Sequence, residues 1–245
     1  ETLFDPFLLL DDFRANSPEE FVAGFPWHPH RGIETITYVL GGTVEHGDSM
    51  GNSGVISSGD IQWMTAGSGI IHQEMPKGSQ AGRLSGFQLW ANLPRSHKMM
   101  SPRYREIKSL DIPEITQEDG VNIRIISGSL KGVRGPVRDI IIDPEYFDIT
   151  VPAQTDYCHP TKRGHTVIAY VIEGACSFCP DKKPLSFCPD GASYFEMDPE
   201  LYIPNGSVAL FDDGESLLAS AGDTQTRFLL ISGKPIHEPI AWRGP

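Results

Sequence analysis

The stretch FPWHPHRGIETI, residues 25 to 36, sets His28 and His30 one residue apart, with Glu34 four residues further on. In an extended strand, side chains two apart leave on the same face with Cβ atoms roughly 6–7 Å apart, so two imidazoles can converge on one point. A proline between two histidines also occurs in surface loops, and a lone pair of this kind is ambiguous. A second pair removes much of that ambiguity: in GDIQWMTAGSGIIHQEMP, His72 and Glu74 repeat the same spacing. Three neutral imidazoles and one carboxylate suit a first-row transition ion such as Fe(II), Mn, Ni, Cu or Zn. In octahedral geometry such a set leaves two positions for small ligands, which implies catalysis or sensing rather than a structural staple.

The elements that must hold these pairs read as short strands. ETITYVL, VISSGDIQWM, SGFQLWANL, TVIAYVIEG and TRFLLISG are rich in β-branched and aromatic residues and are punctuated by turns such as GG, HGDSMGNSG, AGSG and PDKKP. The 25 glycines and 20 prolines in 245 residues exceed an average share of about 12%, in keeping with an all-β sandwich or barrel. The polar segment REIKSLDIPEITQEDG, residues 105–120, separates two strand-rich halves and reads as a linker. A repeat supports that division: ETITYVLGG at 34–42 resembles VIAYVIEGA at 167–175, an offset of 133 residues.

Composition narrows the function classes. A net charge of −12 argues against a phosphate-binding surface, so no direct nucleic-acid contact is expected. No apolar run approaches the roughly 18–20 residues of a membrane span. The first residue is Glu1 and no signal-like segment follows it, so the chain reads as the ordered part of a longer protein, with a cytoplasmic location expected and a nuclear one open for a eukaryote.

GFPWHPHRGIETITYVLGG fits the first cupin motif, with His30, Glu34 and Gly41 at its spacing. GDIQWMTAGSGIIHQEMP, with Thr65-Ala66-Gly67 ahead of a delayed His72, is similar to the pirin form of the second motif. With DPFLLLDDF and FQLWANLP these residues resemble the pirin family over essentially the whole chain. The resemblance implies two tandem cupin domains, jelly-roll β-barrels packed face to face in one monomer, an N-terminal metal-binding domain over 1–107 and a C-terminal one over 108–245. It implies one ion per chain, Fe(II) first, with Mn, Ni, Cu, Co or Zn as alternatives, held by His28, His30, His72 and Glu74. Glu34 competes for the carboxylate place, or orients a histidine ring from behind. The 133-residue offset puts Thr161, Arg163 and Val167 where the first copy has His28, His30 and Glu34, so the second barrel is expected to bind no metal.

The family implies cleavage of a planar polyphenol such as quercetin by dioxygen with release of carbon monoxide, Glu74 acting as ligand and base together. It also leaves open an iron-dependent redox sensor that binds a transcription factor or metabolic enzyme. The four cysteines, Cys158, Cys176, Cys179 and Cys188, all fall in the second half. Strand alternation sends Cys176 and Cys179 to opposite faces, against a shared metal, while a hairpin could set Cys179 opposite Cys188. Reduced thiols are expected in an intracellular protein.

Overall fold

The computed structural model describes residues 3–182, 185–188, 193–196 and 202–240. It divides into two compact units: the first comprises Glu1–Ile112, Asp139–Asp143 and Gly233–Pro245, the second Pro113–Arg138 and Pro144–Ser232. The first division thus falls between Ile112 and Pro113, within the polar linker. The segments 139–143 and 233–245 join the first unit, although sequence order assigned them to the second.

Among the described residues, nine strands build the first unit: β1 (Phe7–Asp12), β2 (Phe25–His30), β3 (Ile33–Gly41), β4 (Thr43–Asp48), β5 (Ser53–Ile56), β6 (Ile61–Thr65), β7 (Ile70–Lys77), β8 (Ser85–Asn92) and β9 (Arg103–Ile107). They form two antiparallel sheets, one in the order β1-β8-β3-β6-β9 and the other in the order β2-β7-β4-β5. Alternation along β3 decides what each face of the larger sheet carries. Ile36 and Tyr38, fully buried, leave on one side with Glu34. Truncating Ile36 to alanine there would cost about 2–5 kcal/mol. Thr35 and Thr37 leave on the other side, level with Trp90 and Gln88 of β8, and that side looks across to the smaller sheet. Bonds and ring contacts cross the gap from it, Thr37 to Glu74, Gln62 to His46, and Trp90 to His30. The barrel interior is therefore polar at its working end.

Two turns fix the strand ends that carry the histidines. Gly32, between β2 and β3, has φ +69, and Gly67, between β6 and β7, has φ +52, a left-handed conformation that costs glycine little. The Gly32 N–H donates to the Gly67 carbonyl at 2.8 Å. A Cβ at Gly67 would lie 2.2 Å from the Met100 carbonyl oxygen, so no larger residue fits. Lys98 Nζ ties the pair down by donating to the Gly32 carbonyl at 3.1 Å and to Asn92 Oδ1 at 2.6 Å.

In the second unit, one sheet takes the strands Glu114–Thr116, Asn122–Ser127, Glu145–Val151, Thr226–Gly233, Thr166–Glu173 and Val208–Phe211 in spatial order. Its core is apolar: Ile123, Phe147, Ile149, Ala169, Val171 and Phe228 are fully buried in one cluster. The chain then returns to the first unit. Asp5 Oδ2 accepts the backbone N–H groups of Ile236 and His237 at 2.9 and 2.7 Å, and the Arg95 N–H donates to Glu238 Oε2 at 2.6 Å. No helix among the described residues is long and apolar enough to cross a membrane.

Candidate metal centre

His28 and His30 lie on β2, and His72 on β7 directly opposite His28 in the antiparallel register. Their Nε2 atoms converge: His28 is 3.0 Å from His30 and 3.0 Å from His72. Two nitrogens bound at right angles to one ion, each at about 2.1 Å, stand about 3.0 Å apart, so the spacing matches a shared cation. The His28 Nδ1–H donates to the Pro26 carbonyl at 2.8 Å, which turns the Nε2 lone pair toward the other two rings. Burial, then the charge of His28, pushes His30 down to about 4. Burial and the neighbouring imidazoles push His72 down to about 3. Both rings are neutral at pH 7, the state a metal requires. These three are the group of His, Cys, Asp and Glu side chains, among the described residues, that could hold a metal ion.

Glu74 is one turn of the strand period from His72 and is 2% exposed. Its carboxylate is fastened from the larger sheet: Thr37 Oγ1 donates to Oε1 at 2.8 Å and Gln88 Nε2 to Oε2 at 2.6 Å. Gln88 Oε1 in turn accepts the indole N–H of Trp90 at 2.7 Å. The Trp90 ring stands edge-on to His30 at 4.9 Å between centroids. The three imidazoles fit the donor set of a first-row transition ion with positions left open; Glu74 is not among the side chains whose ligand atoms all lie within 4.8 Å of one another.

A family model described as Pirin matches residues 1–91, and one described as Pirin C-terminal cupin domain matches residues 146–245. A protein of Pseudomonas aeruginosa, provisionally named a quercetin 2,3-dioxygenase, is 39% identical over 247 residues, covering 99% of this chain and 80% of that protein. The chain belongs to the pirin family. Human pirin is 37% identical over 243 residues, 98% of this chain and 76% of its own. The crystal structure of quercetin 2,3-dioxygenase from Acinetobacter baumannii superposes with a TM-score of 0.82 at 32% identity, over 99% of this chain and 80% of that one.

This pirin keeps Glu34 away from the histidines. Glu34 is fully buried on the opposite face of β3 from Thr37, and its Oε1 accepts from Thr65 Oγ1 at 2.6 Å. No histidine ring is bonded to it, because a residue three positions before Thr37 must leave β3 on the other face. Burial raises its pKa, against the opposing pull of Thr65, Trp63, Arg103 and Arg105.

Four residues that sequence reasoning passed over, His46, Gln62, Gln88 and Tyr104, stand beside the histidines, Glu74 or one another. His46 on β4 is 4% exposed, lies 5.6 Å from the His72 ring and stacks flat on Tyr104 at 4.9 Å. Gln62 Nε2 donates to its Nδ1 at 2.8 Å. The sequence did carry a signal for His46, since EHGD sets His46 and Asp48 at the same two-residue spacing as the two ligand pairs. Gln88 and Tyr104 carried none.

In the second unit Thr161 and Arg163 are occupied elsewhere. Thr161 Oγ1 donates to the Gly214 carbonyl at 2.9 Å, and Arg163 Nε pairs with Glu215 Oε1 at 3.0 Å. His159 is buried against Phe147 at 5.0 Å, and its Nδ1 is hydrogen-bonded to the Tyr157 hydroxyl at 2.8 Å. Cys158, Cys176 and Cys179 are free thiols, and burial pushes Cys176 up to about 12. The Cys188 backbone pairs with Ser193 rather than Cys179; its side chain lies outside the described residues.

Proposed function

We propose that this pirin is a metal-dependent dioxygenase that cleaves flavonols such as quercetin, consuming one dioxygen and yielding a phenolic ester and carbon monoxide. The observation that carries the reading is the meeting of three Nε2 atoms, with 3.0 Å between His28 and each of the other two, beside a carboxylate held from across the barrel. The names of the Pseudomonas and Acinetobacter relatives support the same chemistry. His28, His30 and His72 would hold the ion, with Glu74 beside it as fourth ligand and as acceptor of the flavonol 3-hydroxyl proton. When bound, the ion supplies the Lewis acidity that acidifies that hydroxyl and the redox chemistry that lets dioxygen react. The chain's own work is positional. Thr37 and Gln88 aim the Glu74 oxygens, and the half-buried Trp90, edge-on to His30, gives the cavity an aromatic wall for planar rings.

The test is an anaerobic titration of Fe(II)-loaded protein with quercetin, followed by oxygen and detection of carbon monoxide. Flavonol should perturb the metal's spectrum before oxygen is admitted, and carbon monoxide should follow. His72→Ala should abolish both, while Cys176→Ala and Cys179→Ser leave turnover within a few fold. Spectral perturbation without carbon monoxide would sink the dioxygenase reading and favour a redox-sensing regulator that binds a transcription factor or metabolic enzyme.

A further inference from the structure

Four side chains beside the histidines form a hydrogen-bond chain with only one consistent direction. An indole N–H is a donor and nothing else, so Trp90 Nε1 must meet the oxygen end of the Gln88 amide, at 2.7 Å. The nitrogen end of Gln88 is thereby turned the other way, where it donates to Glu74 Oε2 at 2.6 Å and to Thr37 Oγ1 at 3.1 Å. Thr37 has accepted from Gln88, so its single hydroxyl hydrogen is free for Glu74 Oε1, at 2.8 Å. Every hydrogen points toward Glu74. Each of its oxygens receives one bond, which fixes both the position and the rotation of the carboxylate plane.

The strands explain why this set can act on Glu74 alone. Gln88 and Thr37 are register partners on β8 and β3 and face the gap, while Glu74 enters from β7 in the other sheet. Among the described residues Gln88 bonds to Thr37, Glu74 and Trp90 and to none of the three converging histidines, and Trp90 meets His30 ring edge to ring. We infer that Gln88 is the positioning residue for Glu74 and that Trp90 sets the direction in which its amide points. The inference rests on reading Glu74 as part of the metal-binding and proton-accepting set. It predicts that an isosteric apolar residue at 88 leaves the histidines in place and lets the carboxylate turn.

A double-mutant cycle on metal affinity tests this without recourse to turnover. Ni(II) affinity is measured by competition with a chromophoric chelator for Gln88→Leu and Trp90→Phe, each alone and in a Glu74→Gln background. Loss of a group that orients a ligand weakens metal binding about 10–100-fold; Gln88→Leu should fall in that range. Trp90→Phe keeps a ring against His30 but releases the amide, and should weaken binding in the same direction by less. In the Glu74→Gln background both substitutions should change affinity by less than about twofold, because the carboxylate they act through is gone. A general loosening of the barrel would weaken binding equally in both backgrounds, and that result overturns the inference. So does Gln88→Leu binding Ni(II) within twofold of the unsubstituted protein. Thermal melting of each metal-free variant separates unfolding from lost affinity, and if Gln88→Leu fails to fold, Trp90→Phe decides the cycle. Carbon monoxide from the unsubstituted protein is scored separately, so the dioxygenase reading can fail while the cycle still decides the role of Gln88.

Discussion

Glu34 and Thr37 leave the same strand on opposite faces, Thr37 donating to Glu74 Oε1 at 2.8 Å and Glu34 accepting from Thr65 at 2.6 Å. The two glutamates of the motifs therefore belong to different environments, and substitution should separate them. Glu74→Ala should weaken metal binding at least about tenfold, whereas Glu34→Gln should leave it within about threefold. Chelator competition on the two variants checks the ranking; a larger loss at Glu34 would return the carboxylate role to the first motif.

Glu34 also carries a pH signature. Its folded pKa is raised above the unfolded value by burial, so the native state binds the proton more tightly. The sign follows: the group costs nothing below the unfolded pKa, and its penalty grows as pH rises through the folded one. Glu34→Gln should thus be as stable as the unsubstituted protein or more so at pH 7, with the difference closing below about pH 4. Urea midpoints at both pH values measure it, and a gap that widens on acidification contradicts the assignment.

His159 should act in the opposite sense. Burial pushes it down to about 4, so between pH 6.5 and 4 the unfolded chain takes a proton that the native state refuses. Stability falls as pH falls through that window, by up to about 1.4 kcal/mol per unit and on the order of 3 kcal/mol in all. His159→Phe should remove that share of the slope. Denaturation curves of the metal-free protein at pH 7, 5.5 and 4.5 test this, with parallel slopes as the contrary result.

Metal content is the simplest measurement. Protein loaded with Fe(II) or Ni(II) and desalted should carry about one ion per chain by elemental analysis, and His72→Ala should carry close to none. Two tightly held ions would mean that the second unit, despite Thr161 and Arg163 at the ligand positions, binds metal as well.

Asp5, a buried carboxylate, should matter to stability. Its Oδ2 receives two part-buried backbone donors, from Ile236 and His237, and Asp5→Ala, which removes that acceptor, should cost about 1–3 kcal/mol in all. A shift in the thermal midpoint of less than one degree would show that water replaces the carboxylate.

The spacing of the histidines was legible because strand alternation has a period of two and needs no knowledge of neighbours. The preference for Glu74 over Glu34 came from the family resemblance and not from spacing, which does not say which face of β3 looks inward. Usual patterning points to the apolar side, Ile36 and Tyr38, yet here the threonines face the cavity and the large apolar residues pack behind the sheet. A polar interior inverts the ordinary rule. Gln88 and Tyr104 enter from strands far along the chain, and neither is of a residue type that marks a ligand in a linear reading. The return of residues 139–143 and 233–245 to the first unit is likewise a long-range pairing that composition does not encode.

That return has a bearing on how the molecule is made. His28, His30 and His72 leave the ribosome early, but the backbone donors that satisfy Asp5 arrive only with Ile236 and His237. Asp5, in the unit that holds the candidate ligands, gains these two donors only after nearly all of the other unit has been synthesised. A nascent chain that ends at Ile112 would carry the three imidazoles while both of these Asp5 contacts are still missing.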